Sequence, residues 1–228
     1  MERWTYALLL AGSILIPLIR SFESRVAYYK KWRALFPALF VLMLVFIPWD
    51  IVFTRMGVWS FNYQYVLGYY AIHLPVEEWL FFIVIPFCCV FVYEVLVYFF
   101  PKFYFPRSSL WLSLILGGIA LATAIYNMHR IYTFTVMSLS ALLLFWQVFI
   151  NTHKSWLSHF YLMYFISLIP FFMVNGVLTA FPVVIYDNTE NLAIRMFTIP
   201  LEDSFYFLSM MFITMMVYEH LKKRFRVN

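Results

Sequence analysis

The chain of 228 residues has room for one ordinary domain or two small ones, and its composition excludes a water-soluble fold. Apolar residues make up 64% and charged residues only 12%, with a mean hydropathy of +0.83, whereas soluble domains are about half apolar and about a quarter charged. The net charge of +5 does not point to a nucleic-acid partner, because the basic residues sit between apolar segments, as membrane topology requires.

A bilayer core needs about 20 mostly apolar residues per helix. By that rule about seven spans are predicted, at 4–19, 34–53, 76–100, 109–127, 131–150, 157–178 and 201–221. The first lacks a small-residue cleavage site and runs into Arg20, Arg25, Lys30, Lys31 and Arg33, so it reads as a retained helix and not as a signal peptide. The third and seventh begin just after Pro75 and Pro200, residues suited to the first turn of a helix. A very short turn around Asn127 to Arg130 joins the fourth and fifth. The expected fold class is an all-α integral membrane protein.

Charge gives the expected orientation. The connections after the first, third, fifth and seventh spans hold twelve basic residues: the five above, Lys102, Arg107, Lys154, Lys222, Lys223, Arg224 and Arg226. The opposite face holds four, Arg3, Arg55, Arg130 and Arg195. Positive charge marks the cytoplasmic side, which puts the N-terminus outside and the C-terminus inside. The two longest connections, 54–75 and 179–200, then share the outer face.

The chain repeats itself. Leu74-Pro75-Val76-Glu77-Glu78-Trp79-Leu80-Phe81-Phe82 aligns with Ile199-Pro200-Leu201-Glu202-Asp203-Ser204-Phe205-Tyr206-Phe207 at an offset of 125, and Val92-Tyr93-Glu94 aligns with Val217-Tyr218-Glu219 at the same offset. Ile47-Pro48 also resembles Ile169-Pro170, at a spacing that differs by three residues. Two three-helix repeats are expected, in residues 1–105 and 131–228, joined by a linking helix in 106–130. Copies four helices apart face the same way, so the repeat is parallel, with its pseudo-axis along the membrane normal.

Ionisable groups inside a membrane are costly, so their positions are informative. In each half two adjacent carboxylates, Glu77–Glu78 and Glu202–Asp203, open a helix otherwise rich in aromatics. Residues four apart share a helical face, which aligns Glu77 with Phe81, Glu78 with Phe82, Glu202 with Tyr206 and Asp203 with Phe207. Apolar surroundings disfavour the charged form of a carboxyl group, and a carboxylic acid kept neutral can act as a general acid. Aromatic faces beside it stabilise a cation. Acid plus aromatic wall suits protonation of an alkene followed by carbocation rearrangement. The plainer reading is a helix start, since Pro followed by Glu in the first turn is also favoured by the helix dipole. Glu94 and Glu219 lie about 25 Å further along their helices and are expected to be structural, paired with basic residues near the cytoplasmic headgroups. The loop with Trp59, Phe61, Tyr63, Tyr65, Tyr69 and Tyr70 reads either as an interfacial belt or as the mouth of a site for a long apolar ligand.

Other chemistries lack their signatures. No Gly-x-Gly-x-x-Gly supports a nucleotide or flavin cofactor. His73, His129, His153, His159 and His220 show no His-Glu-x-x-His spacing, and the adjacent Cys88 and Cys89 make neither a disulfide framework nor a metal site. No cofactor and no metal is expected. No aspartate-rich diphosphate motif appears, and the seventh span has no lysine before Lys222 for a retinal Schiff base.

The duplicated Pro-x-Glu-Glu/Asp motif resembles the lycopene cyclase domain of heterodimeric and fused carotenoid cyclases from bacteria, archaea and fungi. The likeness covers nearly the whole chain. In the first copy it takes in Pro48, Asp50, Trp59, Phe61 and residues 74–82; in the second, Asn175-Gly176, Leu178-Thr179, residues 199–206 and Tyr218-Glu219. With both copies on one polypeptide the chain resembles the fused form. Trp79 is replaced by Ser204, and Asp50 has only Asn175 as a counterpart, so the halves need not be equivalent. The resemblance implies an intramolecular lyase, or isomerase, that converts the acyclic ψ-ends of lycopene to β-rings, giving γ-carotene and β-carotene without cofactor or net redox change. It implies Glu77, Glu78, Glu202 and Asp203 as the acid/base set. Phe81, Phe82, Tyr206 and Phe207 become the cation-facing wall, and Asp50, Trp59 and Asn175 further substrate contacts. Its partners would be lycopene and other acyclic carotenes dissolved in membrane lipid, along with other carotenoid biosynthesis enzymes, in the cytoplasmic membrane of a bacterium or archaeon. Two readings from other classes stay open at this stage: a small proton-coupled transporter using the carboxylates as a relay, and a carotenoid-binding subunit without turnover.

Overall fold

The structure is a computed structural model that describes residues 2–150 and 156–226. Lys154 and His153, which entered the charge and histidine readings, lie outside the described residues. Seven long helices dominate: α1 (Thr5–Arg20), α2 (Trp32–Met56), α3 (Val76–Phe99), α4 (Pro106–Tyr126), α5 (Ile131–Ile150), α6 (Leu157–Ala180) and α7 (Leu201–Arg224). Among the described residues, six helical segments are long and apolar enough to cross a membrane. The seventh expected span, α7, is not among them, because carboxylates open it and lysines close it. Its polar residues are sheltered by protein: Glu202, Asp203, Ser209, Thr214 and Glu219 are all buried. All-α membrane architecture with a single multi-pass chain is therefore what the sequence folds into.

The connections 56–76 and 180–201 form short antiparallel ladders. β2 (Tyr70–Ala71) pairs with β3 (Leu74–Pro75), and β5 (Arg195–Met196) pairs with β6 (Ile199–Pro200). Between the halves, β1 (Trp59–Phe61) pairs with β4 (Val184–Tyr186) in the register Trp59↔Tyr186, Ser60↔Ile185, Phe61↔Val184. Gly57 ends α2 at φ 77°, a left-handed cap whose amide reaches the carbonyls of Phe53 and Thr54. Pro75 and Pro200 have extended φ/ψ and supply no amide donor, so each hairpin passes directly into the first turn of α3 or α7.

The two copies obey one pseudo-twofold axis. The amide of Val76 bonds Tyr69 and that of Leu201 bonds Ile194; Asn62 bonds Val183 and Asp187 bonds Val58. Each pair is related by 125 residues, and the last two cross between copies. At that offset the starts of α2 and α6, Trp32 and Leu157, also coincide. The Ile47-Pro48 and Ile169-Pro170 likeness therefore does not mark equivalent positions. Asp50 and Asn175 do, and they line the same cavity; the two prolines sit at different heights of their helices.

The repeats interlock. Helix α1 packs on α3 and α5 on α7, but α2 packs chiefly on α7 and α6 on α3. At the basic end, Tyr93 donates to Glu219 (2.9 Å) and Tyr218 donates to Glu94 (2.8 Å), a reciprocal pair of bonds across the axis. Lys31 and Lys222 both bind Glu94, which is fully buried. The structural role expected for Glu94 and Glu219 is what the geometry shows. The linking helix α4 lies along α5, where Ala120 and Ala124 pack on Met137 and Ala141. A Cβ at Gly117 would come within 3.3 Å of the Phe145 ring, a tight contact that marks the close approach of the two helices there.

Candidate active site

Helices α3 and α7 run parallel beside the axis, so the acid pairs that open them meet at one end of the bundle. Adjacent residues on a helix point about 100° apart, and this rotation divides each pair. Glu77 turns toward its own connection, where Oε1 accepts the Leu67 amide (2.6 Å). Glu202 does the same with the Leu192 amide (2.7 Å) and also accepts the Thr133 hydroxyl (2.6 Å). The second oxygen of each is buried without a hydrogen-bond partner.

Glu78 and Asp203 turn inward. The hydroxyl of Tyr6 donates to Glu78 Oε2 (2.6 Å). Asp203 receives two donors, Tyr132 at Oδ1 (2.5 Å) and Tyr186 at Oδ2 (2.8 Å). Burial and the neighbouring Asp203 push the Tyr186 hydroxyl well above the ordinary tyrosine range, so it stays protonated as a donor. A third carboxyl joins them: Asp50 Oδ1 accepts the Trp59 indole N–H (2.7 Å), and its Oδ2 is buried without a partner. All five acidic residues are at most 9% exposed. Among the described residues no lysine, arginine or histidine nitrogen lies within 4.0 Å of any of them.

Glu78, Asp203 and Asp50 line one cavity, together with Trp59, Phe81, Asn175, Tyr206 and Phe207. The cavity has a volume of about 60 Å³. Its walls are stacked rings: Phe171 on Phe207 at 4.7 Å, with Tyr206 held by Phe46 at 5.1 Å and Trp49 at 5.2 Å. Phe81, Phe171, Asn175 and Phe207 also line a second, almost wholly apolar space of about 170 Å³ between α1, α3 and α6. With four lining residues in common, the two spaces adjoin as an acidic chamber with an apolar groove beside it.

Of the eleven residues expected from sequence as acid/base groups, cation wall or substrate contacts, the structure brings eight to the chamber. Glu77 and Glu202 lie outside its lining as clamps on the connections, and Phe82 sits behind the wall, packed on Phe46 (6.1 Å) and Phe81 (5.6 Å). In the aromatic loop, Trp59 and Phe61 line the chamber, whereas Tyr63 and Tyr69 are exposed. Sequence reasoning missed Tyr6, Tyr132, Tyr186 and Phe171. Tyr6 and Tyr132 are equivalent at an offset of 126, one residue out of phase with the acid pairs, so a search at a single offset passes over them. Allowing a one-residue gap would have found the pair.

Among the described residues, seven long helices around an acidic, ring-lined chamber that adjoins an apolar space define a multi-pass membrane protein. The lycopene cyclase family model matches the chain twice, over residues 3–96 and over residues 129–221. The chain belongs to this family, as a fused form carrying both copies, and the family's function is the cyclisation of carotenoids. No curated protein and no solved structure matches the chain.

Proposed function

We propose that the protein is a lycopene β-cyclase that turns the acyclic ψ-ends of lycopene into β-rings, giving γ-carotene and then β-carotene. The observation that supports this most directly is the convergence of Glu78, Asp203 and Asp50, all buried and without a cationic partner among the described residues, on one aromatic chamber. Glu78, with a single tyrosine donor, is the acid: its O–H protonates the terminal double bond of the ψ-end. The neighbouring double bond attacks the resulting tertiary cation and closes the ring. Asp203, with a tyrosine hydroxyl at each oxygen, stays an acceptor-only anion; it balances the cation and removes a ring proton to leave the new double bond. One proton enters and one leaves, so the product is an isomer and no electrons are transferred.

Phe81, Tyr206, Phe207 and Phe171 present ring faces to the cation, each worth about 0.5–2 kcal/mol in a desolvated site. Asp50 and Asn175 face the substrate from opposite sides of the axis, and Trp59 fixes Asp50. In this scheme residues 1–105 and 131–228 each supply half of the chamber, and 106–130 serves only as the link. The test is expression in a host that accumulates lycopene, with pigments resolved by chromatography. Ring-bearing carotenes are expected from the wild-type chain, and membrane-inserted protein that leaves lycopene untouched would refute the proposal.

A further inference from the structure

The chamber is shared, but its exits are not. It lies on the pseudo-twofold axis, under the β1–β4 pair, and takes acid groups from both copies. Two grooves would leave it if the copies were alike, one between α1, α3 and α6 and one between α5, α7 and α2. The first holds a space of about 170 Å³ lined by Pro17, Ile85, Val92, Ser167, Pro170 and Val174. It is flanked by side chains that face the hydrocarbon, with Ile16 of α1 68% exposed and Ile169 of α6 65% exposed. Along the second path, Trp49 stands where Val174 stands in the first, and Leu42 where Ser167 stands. The Trp49 indole stacks on Phe46 at 5.5 Å, meets Phe53 edge-on at 5.6 Å and reaches Tyr206 at 5.2 Å. Leu42 and Phe46 are fully buried beside it. The indole is thus packed among three rings at the position where the other flank has only the smaller Val174 side chain beside its apolar space.

Resting on the proposed cyclisation, we infer that the protein has one active chamber with one lateral door, between α1 and α6, and works on one end of a carotene at a time. A linear carotene is many times longer than the chamber, so its far end stays in the groove and the lipid. Cyclising that end requires the molecule to leave, turn around and return. The carotene with one ring is therefore released into the membrane between the two reactions, and Val174 and Trp49 decide which side is open.

The full chain in lipid vesicles is given isotope-labelled lycopene together with a tenfold excess of unlabelled γ-carotene. Labelled one-ring carotene is expected to appear first, and the excess should lower the early ratio of labelled two-ring to labelled one-ring carotene about tenfold relative to the reaction without it. A ratio that the excess leaves unchanged overturns this inference alone; absence of any ring product overturns the proposed function and this inference with it. As a second measurement, Val174→Trp is expected to slow conversion at least tenfold in protein that is inserted and folded, and Val174→Leu to give an intermediate rate. Conversion at the wild-type rate by folded Val174→Trp would overturn the assignment of the door.

Discussion

Glu77 and Glu78 differ by one residue of helix rotation, about 100°, yet they meet opposite surroundings. One carries an amide of its own connection, and the other carries a tyrosine hydroxyl inside the chamber. General acid–base groups contribute about 10²–10⁴-fold to a rate. Glu78→Gln and Asp203→Asn are each expected to slow cyclisation by at least about 100-fold with little change in folding. Glu77→Gln keeps a carbonyl oxygen for the Leu67 amide and should retain most activity, whereas Glu77→Ala leaves that half-buried amide without its acceptor and should cost about 1 kcal/mol of stability. Initial rates in vesicles and thermal unfolding measure the two effects, and an equal loss of rate in Glu77→Gln and Glu78→Gln would contradict the division. The acid pairs themselves were legible in the sequence, because paired carboxylates after a proline are conspicuous in an apolar chain. Which member faces the substrate was not legible, since it depends on how the preceding hairpin sets the rotation of the first turn. The tyrosines were hidden for another reason: Tyr6 and Tyr132 reach the acids across 72 and 71 residues of chain that no local pattern connects.

The long helices could be read from sequence to within a few residues because each repeats one apolar composition over some five turns. The ladders could not, because strands of two or three residues carry no alternation to detect. They nevertheless aim the acids. The β2–β3 hairpin turns at Ile72 and His73, both left-handed at φ 49° and 70°. A branched residue such as Ile pays a steric cost in this region, while Asn-Gly is the preferred pair for such a turn. Replacing Ile72 by Asn and His73 by Gly is expected to raise stability by about 1 kcal/mol, seen as a higher unfolding temperature at unchanged cyclisation rate. Ile72 is exposed, so the substitution removes no packing. A loss of stability would mean that the turn is held by something other than its backbone preference.

Across the whole molecule the repeats were visible in sequence, but not their interleaving. Nothing in a linear motif shows that α2 leans on α7, or that Tyr93 and Tyr218 exchange bonds with the acids of the opposite copy. The exchange makes each half a template for the other. Fragments 1–105 and 106–228, produced alone, are expected to fail to accumulate as folded protein, because each would expose the surfaces that the partner's second helix covers. Produced together they should copurify and recover at least about half of the intact chain's activity. Independent folding of either fragment would show that the interlock contributes little.

The difference between Trp49 and Val174 also bears on how such a molecule can be encoded. An assembly of two identical subunits must repeat every side chain on both flanks of its symmetry axis, so it has either two entrances or none. Joining unequal copies in one polypeptide lifts that restriction. One flank is then free to become a sealed wall while the other remains a passage, and each acid can acquire its own set of donors.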